Sequence, residues 1–171
     1  MTNAIEEMRN KYKNELCYPL LFPQHNLRTW YEGDLAHLNN DPALSTLSTH
    51  GIHVYLLETQ TKKLASDHQR IQVEIKTLRT QIESDEFDIN IHMGKINALE
   101  SSYVKIDVQS EIAKAFEMIR KKKSSIQAKT ASIELKSETS NKIKTKIASI
   151  DSEIKSYISS LNSKMLVYYN W

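Results

Sequence analysis

The sequence predicts an all-α protein: an extended antiparallel coiled-coil helical hairpin with a short N-terminal helical unit. Three observations carry that expectation. The 171 residues include only 3 Gly and 3 Pro, against roughly 7% and 5% in an average protein. The last proline is Pro42, so the 129 residues after it contain none. From Leu57 onward, apolar residues recur at alternating steps of three and four, the spacing of a coiled-coil seam. Sheets and loop-built active sites need turns, and turns draw on Gly, Pro, Asn and Asp. The composition therefore argues against an α/β enzyme, a β-sandwich or a glycine-cradled phosphate site.

The N-terminal unit is expected to span residues 1–41. Ile5, Met8, Tyr12 and Leu16 fall at helical steps and predict a short amphipathic helix over 4–16. Pro19 and Pro23 then frame Leu20, Leu21 and Phe22, an apolar turn that should pack against something. Residues 26–40 follow, with Leu27, Trp30, Tyr31, Leu35 and Leu38 as their apolar side. Trp30 and Tyr31 are the candidate docking residues of this unit. Asp41-Pro42 reads as a helix start, because Asp accepts free amides and Pro suits the first helical position.

A long coiled-coil helix is therefore expected over 42–119, with Gly51 as a weak point in it. Its seam holds Leu57, Thr61, Leu64, His68, Ile71, Ile75, Leu78, Ile82, Asp85, Ile89, His92, Ile96, Leu99, Tyr103 and Ile106. Near Asp107–Ser110 the pattern slips, and Val108, Ile112, Ala115 or Phe116, and Ile119 form a displaced stripe. Arg120, Lys121, Lys122, Lys123, Ser124 and Ser125 then offer no apolar residue, so the hairpin turn is placed at 120–125, with Asp107–Ser110 as second choice. The second coiled-coil helix is expected over 126–171. Its seam is Ile143, Ile147, Ile150, Ile154, Tyr157, Leu161, Met165 and Tyr168; only Ile133 and Leu135 mark the stretch before it.

Hydrophobic residues make up 40% of the chain and the mean hydropathy is −0.51. A long hairpin with so little apolar material buries too little area alone to offset its backbone entropy. A second chain is expected to complete the seams, so the expected partner is another coiled-coil subunit in a hetero-oligomer. The partner-binding seam is then Leu57, Leu64, Ile71, Ile75, Leu78, Ile82, Ile89, Ile96 and Leu99 on the first helix. On the second it is Ile143, Ile147, Ile150, Ile154 and Leu161. The charge is uneven: residues 1–110 carry 11 basic and 15 acidic groups, and residues 111–171 carry 12 and 6. The basic half, with Arg120, Lys121, Lys122 and Lys123 as its densest patch, makes nucleic-acid binding the alternative class. A solvated helix face explains the same charges.

No catalytic, cofactor or metal site is expected. His50 and His53 have a ligand-like spacing but lack a third ligand, and Gly51 loosens the geometry. His68, His92 and Asp85 sit in the seam, where polar groups fix register at some cost in stability, and a histidine there also admits a pH switch. Asp85, Glu86 and Asp88 read as a solvated acidic face. Cys17 is the single cysteine, which excludes an internal disulfide and reads as a packed or idle thiol. No stretch approaches the ~18 apolar residues of a membrane span.

The order of features resembles the small coiled-coil subunit of the THO complex, the subunit seven family. The likeness lies in Asn26-Leu27-Arg28-Thr29-Trp30-Tyr31-Glu32-Gly33, in Leu44-Ser45-Thr46-Leu47-Ser48, in the heptad helix and in Ser110-Glu111-Ile112-Ala113-Lys114-Ala115-Phe116-Glu117-Met118-Ile119. Two features depart from that pattern: residues 120–125 contain no proline, and residues 156–161 lack the basic–aromatic stretch of the family's last helix. The resemblance implies a non-enzymatic subunit of the transcription and mRNA-export machinery, resident in the nucleus and paired with a larger coiled-coil subunit. A cytoplasmic home, or another coiled-coil assembly of kinetochore or tethering type, fits the same seams. So does a host-targeted bacterial effector.

Overall fold

The computed structural model describes residues 4–22, 47–101 and 108–169. Among the described residues there are helices and no strand: α1 over Ala4–Tyr12, α2 over Tyr18–Leu21, α3 over Thr49–Glu100 and α4 over Val108–Tyr169. The all-α expectation holds, and α3 and α4 pack against each other. The chain forms two units, one of residues 1–65 with 145–171 and one of residues 66–144.

The first unit has the larger core. On α1, Ile5, Met8 and Tyr12 are buried, the stripe their spacing predicts. Glu6 and Glu7 in its first turn and Arg9 and Lys11 in its last complement the helix dipole. Leu16, expected on the same stripe, is 45% exposed, because the helix ends at Tyr12 and the chain turns away. Cys17 is fully buried, and its backbone N–H donates to Asn162 Oδ1 at 2.8 Å. Leu21 and Phe22 follow it inward, so the apolar turn does pack, against Leu47, Ile52, Val54, Ile150, Ile154, Ile158, Leu161 and Met165.

One serine sets the start of α3. The Ser48 N–H donates to the Leu21 carbonyl at 3.1 Å, and its hydroxyl donates to the Leu20 carbonyl. The same hydroxyl accepts the Gly51 N–H at 2.9 Å, as an N-cap does. The expected start at Pro42 is thus corrected: Leu47 and Ser48 are non-helical, and the capping oxygen is that of Ser48. Gly51 is one turn further on and is required there by close approach rather than by flexibility. A Cβ at this position would overlap the Leu21 carbonyl oxygen and lie 3.2 Å from its carbon and from Leu47 Cδ2.

The second unit is a helical pair with one seam. On α3, each expected seam position from His68 to Leu99 is buried or half-buried. Facing it on α4 are Ile112, Ala115, Ile119, Lys122, Ile126, Lys129, Ile133, Lys136, Ser140 and Ile143, again at alternating steps of three and four and again buried or half-buried. Ile96 packs with Ala115 and Ile119, Asp85 meets Ser125, Glu74 meets Lys136, and Gln72 meets Ser140. Partners on α4 advance as those on α3 recede, so the pairing is antiparallel.

The turn expected at 120–125 is therefore corrected. These residues lie inside α4, and Lys122 occupies a seam position rather than a loop. Its stem lies along the seam while its amine reaches the carboxylates of Asp85 and Asp88, at 3.3 and 3.0 Å. Of the second-choice turn, Val108, Gln109 and Ser110 open α4, and Asp107 lies outside the described residues. The domain boundaries at 42, 119 and 126 shift accordingly.

Candidate interaction surface

The expected seam residues are brought together, and their cover comes from the same chain. In the second unit, Ile71, Ile75 and Ile96 are buried, while Leu78, Ile82, Ile89, Leu99 and Ile143 are half-buried. In the first unit, Ile150, Ile154 and Leu161 are buried in the core, with Leu57 and Leu64 packed against it. Ile147 is half-buried. Trp30, Tyr31, Tyr103 and Ile106 lie outside the described residues.

In the second unit this packing leaves Val73 and Leu135, 53% and 66% exposed, in solvent at one level and a group of five apolar side chains at another. Phe87 is 65% exposed, Ile91 52% and Met93 44% on α3; Phe116 is 52% and Met118 40% exposed on α4. The antiparallel register sets residues 87–93 of α3 opposite about 117–123 of α4, so all five fall within roughly two helical turns. Phe87 and Ile91, four residues apart, share the outer face of α3. Met93 and Phe116 hold equivalent heptad positions, which border the same edge of the seam. Of the alternatives Ala115 or Phe116 in the displaced stripe, Ala115 is the buried one and Phe116 faces solvent. Heptads are blind to outer faces such as that of Phe87 and Ile91, for which an i, i+4 pair of large apolar residues off the seam is the available signal.

The expected basic patch is divided by the fold. Arg120 is tied to Glu117, Nη2 to Oε1 at 2.6 Å and Nε to Oε2 at 2.9 Å. Lys122 is held by Asp85 and Asp88. Lys121 and Lys123 project into solvent. The acidic cluster read as a solvated face is divided as well. Asp85 is 6% exposed and receives hydrogen bonds from Lys129 Nζ at 2.8 Å, Ser125 Oγ at 3.1 Å and Lys122 Nζ at 3.3 Å. Lys129, then Ser125 and Lys122, hold its carboxyl below the usual carboxylate range against the opposing effect of desolvation.

The first unit carries the remaining polar candidates. His50 Nδ1 is hydrogen-bonded to the Tyr157 hydroxyl, and the His53 and Tyr157 rings lie 4.5 Å apart. Burial, then Lys164 and His53, hold the His50 imidazole below its ordinary value. Burial lifts the Cys17 thiol, with Glu15 adding to it, which suits a packed thiol rather than a nucleophile. A groove of about 490 Å³ runs between α1 and α4, floored by Tyr12, Ile154 and Ile158 and rimmed by Lys11, Asp151 and Lys155. Among the described residues no three His, Cys, Asp or Glu side chains converge to hold a metal ion, and no helix is long and apolar enough to cross a membrane.

No family model matches the chain, and the searches of curated proteins and of solved structures return no match.

Proposed function

We propose that the chain is a non-enzymatic scaffold subunit, a coiled-coil helical hairpin with a short N-terminal helical unit, that binds another coiled-coil subunit. The observation that carries this reading is the set Phe87, Ile91, Met93, Phe116 and Met118: large apolar side chains in solvent at one level of a packed helical pair. Apolar residues gathered in this way favour a partner surface over water. Seam residues Ile82 and Ile89 are only half-buried by the helical pair, so a further helix would bury more of them. The assembly we propose is the THO transcription–mRNA export complex, with nuclear residence as its corollary; the support is the sequence resemblance at 26–33, 44–48 and 110–119. Nucleic-acid binding is the weaker reading, because Arg120 and Lys122 of the basic patch are already engaged by carboxylates.

The test is affinity capture of the tagged chain from its native source, with mass spectrometry of what it retains, run beside a Phe87→Asp/Phe116→Asp variant. The expected result is recovery of coiled-coil subunits by the parent chain and their loss from the variant, with helix content and melting unchanged. Undiminished capture by the variant would remove the outer apolar residues as the docking surface. Recovery of a different coiled-coil assembly would discard the THO assignment and leave the scaffold reading standing.

A further inference from the structure

The seam of the second unit contains a feature that a simple hydrophobic zipper lacks. On α4 the positions four residues before Ile126, Ile133 and Ser140 are Lys122, Lys129 and Lys136, three lysines at successive seven-residue steps inside the seam. None is fully exposed: their side chains are 30%, 24% and 33% accessible. Each is answered by an acid on α3. Lys122 reaches Asp85 and Asp88, Lys129 reaches Asp85 at 2.8 Å, and Lys136 reaches Glu74 at 2.6 Å. Ser140 adds a polar layer, donating no charge but accepting from Gln72 Nε2 at 2.8 Å.

We infer that this lysine ladder is a pairing code that commits α3 to antiparallel α4 and bars the seams from pairing with copies of themselves. Replacing an ion pair in a seam by leucines is commonly neutral or stabilising, so raw stability does not account for three such layers. Charge at seam positions does discriminate between pairings. An α4–α4 pairing in parallel register would set lysine against lysine in three successive layers. An α3–α3 pairing in parallel would set Asp85 against Asp85. A slip of the hairpin by one heptad would still set a lysine opposite Asp85, but it would leave Lys122 facing Leu78 and Gln81, or Lys136 facing Gln81, with no acid to answer it. Only the observed register answers every lysine. The hairpin therefore does not use its own seam for self-association, and a partner reaches it from outside.

The test uses the full chain in two forms, with Cys17→Ser and a cysteine pair at Ile96 and Ala115 to report register. In the first form the ladder is intact; in the second it is filled by D85L/K122L/K129L/K136L. Light scattering over a concentration series, with non-reducing gels, gives the state of each. The expected result is an intact chain that is monomeric and cross-links within itself, and a filled chain that forms dimers or larger species cross-linked between chains. A charge-reversed D85K/D88K/K122E/K129E chain guards against misfolding of the filled one. It keeps complementary charges in the observed register and should remain monomeric with the internal cross-link. Self-association of the intact chain through intermolecular 96–115 bridges would overturn the inference. So would a filled chain that stays monomeric in the same register, or a reversed chain that loses its internal cross-link.

Discussion

Replacing Gly51 by alanine should destabilise the protein, although alanine is the better helix former. In an unencumbered helix the exchange is worth roughly 1 kcal/mol in alanine's favour. At residue 51 the added methyl would overlap the Leu21 carbonyl oxygen, and that oxygen is already engaged by the Ser48 N–H at 3.1 Å. The α2 backbone would have to retreat, weakening the two contacts that fasten it to the N-cap, at about 1 kcal/mol each. Leu21 and Leu47, 0% and 1% exposed, leave no slack, and overpacking of this kind costs ~1–3 kcal/mol. The balance is a loss of about 2 kcal/mol, or roughly 4–8 °C in melting temperature for a chain of this size. Gly94 is the internal control, since a Cβ there would meet nothing within 4 Å among the described residues. Gly94→Ala should raise the melting temperature by a few degrees. Circular dichroism melts of the parent and both variants supply the comparison. If Gly51→Ala melts at or above the parent, α2 does not lie against the first turn of α3 and the account of that unit fails.

Three further outcomes are expected. The folded-state pKa of Asp85 lies below its ordinary 3.8, so its contribution is complete above that value and disappears as pH falls through the lower folded pKa; Asp85→Asn should flatten the acid limb of the melting-temperature profile below pH 4 and lower the plateau above it. His50 is also depressed, from 6.5, but as a base, so the unfolded chain takes up its proton first. Stability should be full above pH 6.5 and decline as pH falls through the folded pKa, a slope that His50→Phe should abolish in melts between pH 5 and 7.5. Leu161→Ala, at a 1% exposed core position, should cost ~2–5 kcal/mol in chemical denaturation, whereas Leu166→Ala, at a 49% exposed one, should stay within about 0.5 kcal/mol.

The features legible in the sequence were those that repeat. The α1 stripe Ile5, Met8, Tyr12 and the α3 seam from His68 to Leu99 follow from side-chain period alone, and in both the burial matches the period. What escaped depended on contacts between segments far apart in the chain. Ser48 caps α3 by accepting the Gly51 N–H, and is held there by donating to carbonyls some 27 residues earlier; nothing adjacent to it marks it above Asp41. A single heptad phase carried to the end of α4 selects Tyr157, whereas Ile158 is the more deeply buried of the two. There α1 and α2 widen the buried face, so Ile154, Ile158, Leu161 and Met165 all turn inward. Phe87, Ile91 and Met93 are off the seam period, which treats any such position as solvent-facing whatever its side chain.

The misplaced turn has the most instructive cause. A run of Arg120, Lys121, Lys122, Lys123, Ser124 and Ser125 contains no hydrophobic group, and a search for greasy side chains stops there. Yet the step from Ile119 to Lys122 to Ile126 is the same three and four that precedes and follows it. A seam position demands a side chain of suitable length whose polar end finds a partner; lysine meets that demand when a carboxylate waits across the seam. Asp85 is itself a polar residue on a seam position of α3, and the two anomalies explain each other only when α3 and α4 are set antiparallel. Neither could be resolved on its own helix. The rule that follows for such chains is to extend the period through polar residues and ask whether the anomalies on one strand, read backwards, fall opposite complementary anomalies on the other. Here Lys122 and Lys129 against Asp85, and Lys136 against Glu74, satisfy that condition at a single register.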